Sequence, residues 1–114
     1  MKKLCIKDII CSSSGIKKDD AEKVFKAVCE LLDTNQLVDL DFSGLDYIIS
    51  AFLNVAVGQL YGRYKGREDW LGQNLTFSNM NPDDRDILSK CIKRAIEYYS
   101  DKNVIDKSVE EAKR

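Results

Sequence analysis

The chain has 114 residues, 44% of them hydrophobic and 32% charged, and this length suits a single domain with its own core. Its formal net charge of −1 excludes the overall positive field that draws many proteins to nucleic acid. The sequence contains no histidine, which excludes Ser-His and Cys-His catalytic pairs and imidazole metal ligands.

The first half of the chain predicts the order strand, helix, strand. Residues 4–10 favour a first strand, and the Ser-Ser-Ser-Gly run at 12–15 favours a loop. From residue 19 to about 33, apolar side chains recur at three- and four-residue steps, which predicts an amphipathic helix. Residues 37–42 then alternate between apolar and acidic side chains, as a half-buried strand does.

The acidic face of that strand carries Asp39 and Asp41. A parallel strand covered on both faces is normally aliphatic throughout, so we expect this face to meet solvent or a partner. A metal site or an acid/base pair is the alternative, because the two side chains share a face about 7 Å apart. The sequence supplies no third basic or amide partner for such chemistry, and we therefore expect no catalytic residues, metal or cofactor.

The second half predicts the order helix, strand, helix. Ser50 suits the N-cap of a helix over 51–64 that is apolar on most sides. Residues 74–78 predict a short strand, and Asn81-Pro82 is typical of the start of a helix that would run to 99. This alternation predicts an α/β domain over residues 1–100 with largely parallel strands. Residues 101–114 are expected to form a charged tail, frayed or folded as a short helix.

The loop predicted over residues 62–72 is basic and aromatic. It places Arg63, Lys65 and Arg67 beside Tyr64 and Trp70. Positive charge and aromatic stacking of this kind can bind an anion or a nucleic-acid strand. The alternative, which the balanced charge of the chain favours, is a solvated connector, and we expect no nucleic-acid partner.

The four cysteines have no CxxC spacing, and no secretory segment or apolar run of ~20 residues accompanies them. We therefore expect a cytoplasmic protein with reduced thiols and no membrane association. Disulfides and a four-thiolate zinc site are the alternatives that the even number of cysteines leaves open.

The strand–turn–helix junction over residues 38–53 reads VDLDFSGLDYIISAFL. It resembles the central motif of STAS domains, which are named for sulfate transporters and anti-sigma-factor antagonists. More closely, it resembles the STAS-like branch of unassigned function, whose helix opens with small residues followed by Phe-Leu. The resemblance covers roughly residues 4–99. It implies a mixed but mainly parallel sheet of about three to five strands, with helices packed chiefly on one face.

Several positions carry the resemblance. Asp41, Ser43 and Gly44 match the Asp at the end of the family's strand and its Ser-Gly turn, and Ser50 matches the first serine of the helix start.

Three positions depart from the STAS pattern. Ile49 replaces an Asp, and Phe52 replaces a glycine. Ala51 occupies the position of the serine that a kinase phosphorylates in anti-sigma-factor antagonists. Alanine cannot accept a phosphate, so the resemblance implies a module without the usual phosphoserine switch. Ser50 is the remaining hydroxyl in this turn, and it is expected either to cap the helix or to be phosphorylated instead.

The resemblance implies a non-enzymatic regulatory module that binds a protein, such as an ATP-binding kinase-like regulator. The residues expected to contact that partner surround the strand–turn–helix junction: Asp41, Ser43, Gly44, Asp46, Ser50, Ala51, Phe52 and Asn54. An alternative is a self-associating structural or inhibitory protein of phage or mobile-element type, whose apolar helix 51–64 would bury a spare face in a homodimer. A carboxylate-dependent hydrolase or nuclease is a third hypothesis.

Overall fold

The computed structural model describes residues 1–105, and the side chains of residues 1–100. Strands and helices alternate along the chain. The elements are β1 (Lys2–Cys5), α1 (Ile6–Ile10), β2 (Ser14–Gly15), α2 (Lys18–Leu32), β3 (Val38–Asp41), β4 (Tyr47–Ile48), α3 (Ser50–Leu53), a π turn (Asn54–Gly58), α4 (Leu60–Arg63), α5 (Glu68–Asn74), β5 (Leu75–Ser78) and α6 (Pro82–Ile105).

The strands form two parallel sheets. The larger has the order β1-β3-β5, and the smaller pairs β2 with β4. In the larger sheet, Leu40 of β3 lies between Leu4 of β1 and Phe77 of β5. Parallel neighbours need crossover connections, and the segments containing α2 and then α3 to α5 supply them. The structure thus confirms the α/β fold with a mainly parallel sheet.

The helices pack on the larger sheet and on one another. Helix α2 packs against β1 and β3 through the stripe that contains Ala21, Val24, Val28 and Leu32, all of which are buried. Asp19 and Asp20 lie in its first turn, where carboxylates stabilise the positive end of the helix dipole. The periodicity over residues 19–33 therefore predicted α2 correctly.

The predicted helix over 51–64 is present, but a π turn divides it into α3 and α4. We call α3, the π turn and α4 together the central helix. It contacts α2 and α6, and these contacts bury most of its apolar side chains, including Leu53, Val57, Leu60 and Tyr61. The broad apolar surface that suggested a homodimer is therefore used within the chain. Self-association stays a prediction, which light scattering can test.

The N-terminal segment corrects two expectations. The strand predicted over 4–10 ends at Cys5, because Ile6 and Ile10 are buried one helical turn apart on α1. Cys11, with a φ of 55°, then ends that helix in the left-handed region. The expected Ser-rich loop contains β2, which is too short to produce a recognisable sequence pattern.

Further differences lie towards the C-terminus. The loop predicted over 62–72 contains the start of α5, whose first turn carries Glu68 and Asp69. Helix α6 begins at Pro82 as predicted, after the Asn81 side chain accepts a hydrogen bond from the Asp84 N–H at 2.7 Å. It extends to Ile105, and the rest of the predicted tail lies outside the described residues. None of the helices described is both long enough and apolar enough to cross a membrane.

Candidate functional site

The turn after β3 is held by the carboxylate of Asp41. Its Oδ1 accepts hydrogen bonds from the Asn79 side-chain amide at 2.7 Å and from the Ser43 N–H at 2.9 Å. These bonds, with that of Asn79 the stronger influence, hold the pKa of Asp41 below its ordinary value. Asp41 was expected to contact a partner, but it is only 8% exposed. Its side chain stabilises the turn instead.

Asp39 corrects the expectation of a solvated acidic face. It is 6% exposed, and its two carboxylate oxygens accept hydrogen bonds from Thr76 Oγ1 at 2.7 Å and Ser78 Oγ at 2.5 Å. Both donors lie on β5, so the carboxylate ties the two strands together. Among the described residues, no group of three or more His, Cys, Asp and Glu side chains could hold a metal ion.

Six of the eight residues expected to contact a partner are exposed. They flank β4, with one group in the turn before it and the other at the start of the central helix. We call them the junction surface: Ser43, Gly44, Asp46, Ser50, Ala51 and Asn54. The Asp46 N–H donates to the Ser13 carbonyl at 2.8 Å, and the pairing of β4 with β2 continues from there.

Phe52 does not belong to this surface. It is 1% exposed and is one of the largest fully buried side chains of the core. Ser50 is also placed differently from the expectation. The N-cap position is Ile49, whose side chain makes no cap hydrogen bond, and Ser50 is the first residue of α3. Ser50 is therefore not the N-cap of this helix.

A polar groove opens beside the turn, at the carboxyl ends of β1 and β3. It has a volume of about 680 Å³, and we call it the turn groove. Its lining comes from α1, the Ser-rich segment and the turn: Lys7, Asp8, Cys11, Ser12, Ser13, Gly44 and Asp46. Gly44 has a φ of +80°, and a Cβ there would lie 2.8 Å from Lys7 Cδ. The positive φ favours glycine at this position, whereas the contact alone could be relieved by a shift of the flexible Lys7 side chain.

A second groove lies between the π turn and α6. We call it the helix groove, and its volume is about 380 Å³. Two helical segments provide its lining: Asn54, Gly58, Cys91, Arg94, Ala95, Tyr98 and Tyr99. Asn54 belongs to both this groove and the junction surface. The Cys91 thiol also lies 3.8 Å from the carbonyl oxygen of Ser50, to which it donates a weak hydrogen bond.

The basic loop is fixed to the end of α2. Arg63 Nη2 and the Tyr64 hydroxyl bind the two Asp33 carboxylate oxygens at 2.5 and 2.7 Å. The Arg67 guanidinium lies 4.0 Å from the centre of the Trp70 ring, which in turn packs 5.3 Å from the Tyr64 ring. We call these five residues the clasp. The guanidinium groups of Arg63 and Arg67 therefore both have partners within the chain.

The clasp shifts two pKa values in opposite directions. Burial, followed by the hydrogen bond to Asp33, raises the pKa of Tyr64. The hydrogen bond from Tyr64, followed by that from Arg63, lowers the pKa of Asp33. At neutral pH the clasp therefore joins a neutral phenol to an ionised carboxylate.

A family model for a STAS-like domain of unknown function (DUF4325) matches residues 20–85, which is more than half of the chain. The chain belongs to this family. The matched segment of this STAS-like domain runs from α2 to the beginning of α6, and it includes the junction surface and the clasp. Comparisons with curated proteins and with solved structures gave no match. Membership suggests a regulatory module whose function in this family is unknown.

The structure adds residues to the STAS-like junction that sequence reasoning missed. Tyr47 is 58% exposed and separates the two groups of the junction surface. Lys7 and Asp8 reach the turn from α1, and Arg94 reaches the central helix from α6. The sequence signal for Tyr47 was an aromatic residue next to Asp46 at the end of the predicted turn. The other three depend on contacts between distant segments.

Proposed function

We propose that this STAS-like domain is a non-enzymatic regulatory module that binds a protein partner through the junction surface. The observation that carries the proposal is the combination of an exposed Ser-Gly turn with an exposed helix start on either side of β4. The nearby carboxylates of Asp39 and Asp41 are committed to internal hydrogen bonds, which supports binding rather than acid/base chemistry.

The side chains around β4 suit a protein interface. Ser43, Gly44 and Ala51 are small, so another backbone can approach closely. Tyr47 supplies an exposed aromatic ring, and tyrosine is enriched among the residues that dominate binding energy at interfaces. The turn groove has two carboxylates, Asp8 and Asp46, and one ammonium group, so we expect it to receive a basic side chain of the partner.

The proposed partner is an ATP-binding, kinase-like regulator, as the STAS resemblance implies. Ala51 cannot be phosphorylated, so we propose that binding proceeds without a phosphoserine switch at that position. Ser50 is exposed and is the neighbouring site at which a kinase could act. A phosphate there would add a charge of about −1.5 to −2 in the middle of the interface and would oppose binding to an acidic or apolar surface.

The proposal predicts that Ala51→Glu strongly weakens partner binding. The substitution adds bulk and negative charge at the centre of the junction surface, while a Glu in the first turn of a helix is compatible with folding. The matched control is Gln73→Glu, which adds the same charge at an exposed position on α5. Affinity capture from a lysate of the source organism is the measurement, with purified partner titrated afterwards.

We expect wild-type protein and Gln73→Glu to retain the same partner, and Ala51→Glu to bind it at least about tenfold more weakly. Circular dichroism melts of the three proteins check that the fold is unchanged. Capture of a partner with equal affinity by Ala51→Glu would overturn the assignment of the surface. Absence of any stoichiometric partner of the wild-type protein would overturn the function itself.

A further inference from the structure

The helix groove is kept open by small residues. Gly58 of the π turn faces Ala95 of α6, and a Cβ added at Gly58 would lie 3.8 Å from the Ala95 Cβ. A π turn widens a helix locally, and such turns occur frequently at functional sites. The resulting volume of about 380 Å³ is at the lower end of the range for sites that bind small molecules.

The groove combines one cation with an amide and an aromatic wall. Arg94 donates to Cys91 Sγ at 3.8 Å, and no carboxylate in the described part of the chain forms an ion pair with its guanidinium. The Tyr98 and Tyr99 rings meet edge to face at 4.9 Å. Asn54 supplies an amide from the central helix.

We propose that the helix groove binds a small, planar, aromatic carboxylate. The guanidinium of Arg94 matches a carboxylate with two parallel hydrogen bonds, and its single charge balances a single anionic group. The ring of the ligand would lie over Gly58 and Ala95 and against the tyrosine wall, where aromatic rings pack favourably. A phosphate dianion would leave a second negative charge without a counter-charge among the residues lining the groove.

The site has a consequence for partner binding. Asn54 belongs to both the groove and the junction surface, and Cys91 contacts the carbonyl of Ser50 at the start of α3. A ligand in the groove therefore competes with the partner for Asn54. This competition rests on the proposed function, whereas ligand binding itself does not.

The test is an NMR titration of the full chain with benzoate and indole-3-carboxylate as probes, and with benzamide and indole-3-carboxamide as uncharged controls. We expect saturable shifts of the amide signals of Asn54, Gly58 and Ala95, with millimolar affinity for probes of this size. The carboxamides should bind several-fold more weakly, because they lack the charge that Arg94 recognises. Absence of saturable shifts at about 10 mM probe, or equal binding of the carboxamides, would overturn the proposal.

Two variants assign the effect to its residue. Arg94→Gln should weaken binding of both carboxylates about tenfold, since it removes the charged hydrogen bonds. Arg85→Gln, which removes an exposed arginine near the start of the same helix, should leave binding unchanged. Equal affinity in Arg94→Gln would overturn the site. If the probes bind but do not weaken partner capture, the predicted competition between ligand and partner is wrong. The assignment of the ligand site is then unaffected.

Discussion

Two buried carboxylates on one strand face explain a sequence pattern that is easily misread. Asp39 and Asp41 alternate with aliphatic residues, which is typical of a strand with one solvent-exposed face. In the structure their side-chain hydrogen-bond donors are Thr76, Ser78 and Asn79, which follow 37 to 39 residues later. The turn-stabilising role of Asp41 could be predicted from the adjacent Ser-Gly turn. The role of Asp39 could not, because nothing local specifies which strand becomes its neighbour.

Removing the carboxylate of Asp39 should destabilise the fold. Asp39→Ala leaves two hydroxyl groups without their shared acceptor, and we expect the free energy of unfolding to fall by about 2–4 kcal/mol. Asp39→Asn should cost less, because a carbonyl oxygen remains and the hydroxyls can rotate to accept from the amide. Urea unfolding of the three proteins measures the difference. A free energy of unfolding unchanged in Asp39→Ala would contradict the tie between β3 and β5.

The clasp predicts a dependence of stability on acidic pH. Hydrogen bonds from Tyr64 and Arg63 lower the pKa of Asp33 in the folded protein, so the unfolded chain binds a proton at this site more readily. Stabilisation by Asp33 is therefore complete above the unfolded pKa of about 3.8 and is lost as pH falls through the lower folded pKa. Asp33→Asn should melt at a lower temperature than the wild type at neutral pH.

The measurement is the melting temperature of both proteins between about pH 7 and pH 2. The gap between them should be constant from neutral pH down to about pH 5 and should narrow below pH 4. Glu30→Gln, an exposed carboxylate on α2, serves as the control and should show a much smaller gap at every pH. A gap that widens on acidification would contradict the sign derived from the pKa of Asp33.

At the scale of elements, length decided which predictions succeeded. Helices α2 and α6 extend over many turns, so their periodicity could be recognised, whereas α1 is five residues long. Alternation and helical spacing cannot be separated over so short a segment, and for this reason residues 6–10 were predicted as strand. The π turn has no sequence signal of its own, because it arises where the central helix must accommodate two neighbouring helices.

The packing of α4 against α6 predicts opposite effects for two glycines. A Cβ at Gly62 would lie 2.5 Å from Tyr99 Cε1, so Gly62→Ala must displace a packed ring, and we expect a loss of about 1–3 kcal/mol in the free energy of unfolding. Gly72 lies inside α5 with no neighbouring atom within 4 Å of such a Cβ. Gly72→Ala should therefore stabilise by about 0.5–1 kcal/mol, because alanine favours a helix.

Chemical denaturation of both variants gives the comparison directly. Since the two substitutions add the same methyl group, the difference between them isolates the contact with Tyr99. Equal effects of the two variants would show that α4 and α6 are not packed as described.

At the scale of the whole molecule, the family match covers less than the structural unit. Strand β1 and most of α6 lie outside residues 20–85. Yet β1 pairs with β3 along its whole length, and α6 packs on the central helix. The matched segment alone would therefore leave one side of β3 and one side of the central helix uncovered. Both neighbours are required to complete the core.

The four free thiols predict an ordered pattern of modification. Cys11 is exposed and Cys5 partly buried, while Cys29 and Cys91 lie in the core. Burial also raises the pKa of Cys29, which lowers the fraction of reactive thiolate. N-Ethylmaleimide should therefore modify Cys11 first and Cys5 more slowly, and the two core thiols only in denaturant. Mass spectrometry of peptides after timed exposure measures this order, and early modification of Cys91 would contradict the packing of α6.

The arrangement of the clasp gives this chain a built-in optical reporter. Trp70 is the single tryptophan of the sequence, and it lies under the Arg67 guanidinium beside the Tyr64 ring. Its indole emission therefore reports on the attachment of α5 to the end of α2 through Tyr64 and Asp33. Comparison of that emission with far-ultraviolet circular dichroism would therefore separate local loss of this packing from melting of the helices.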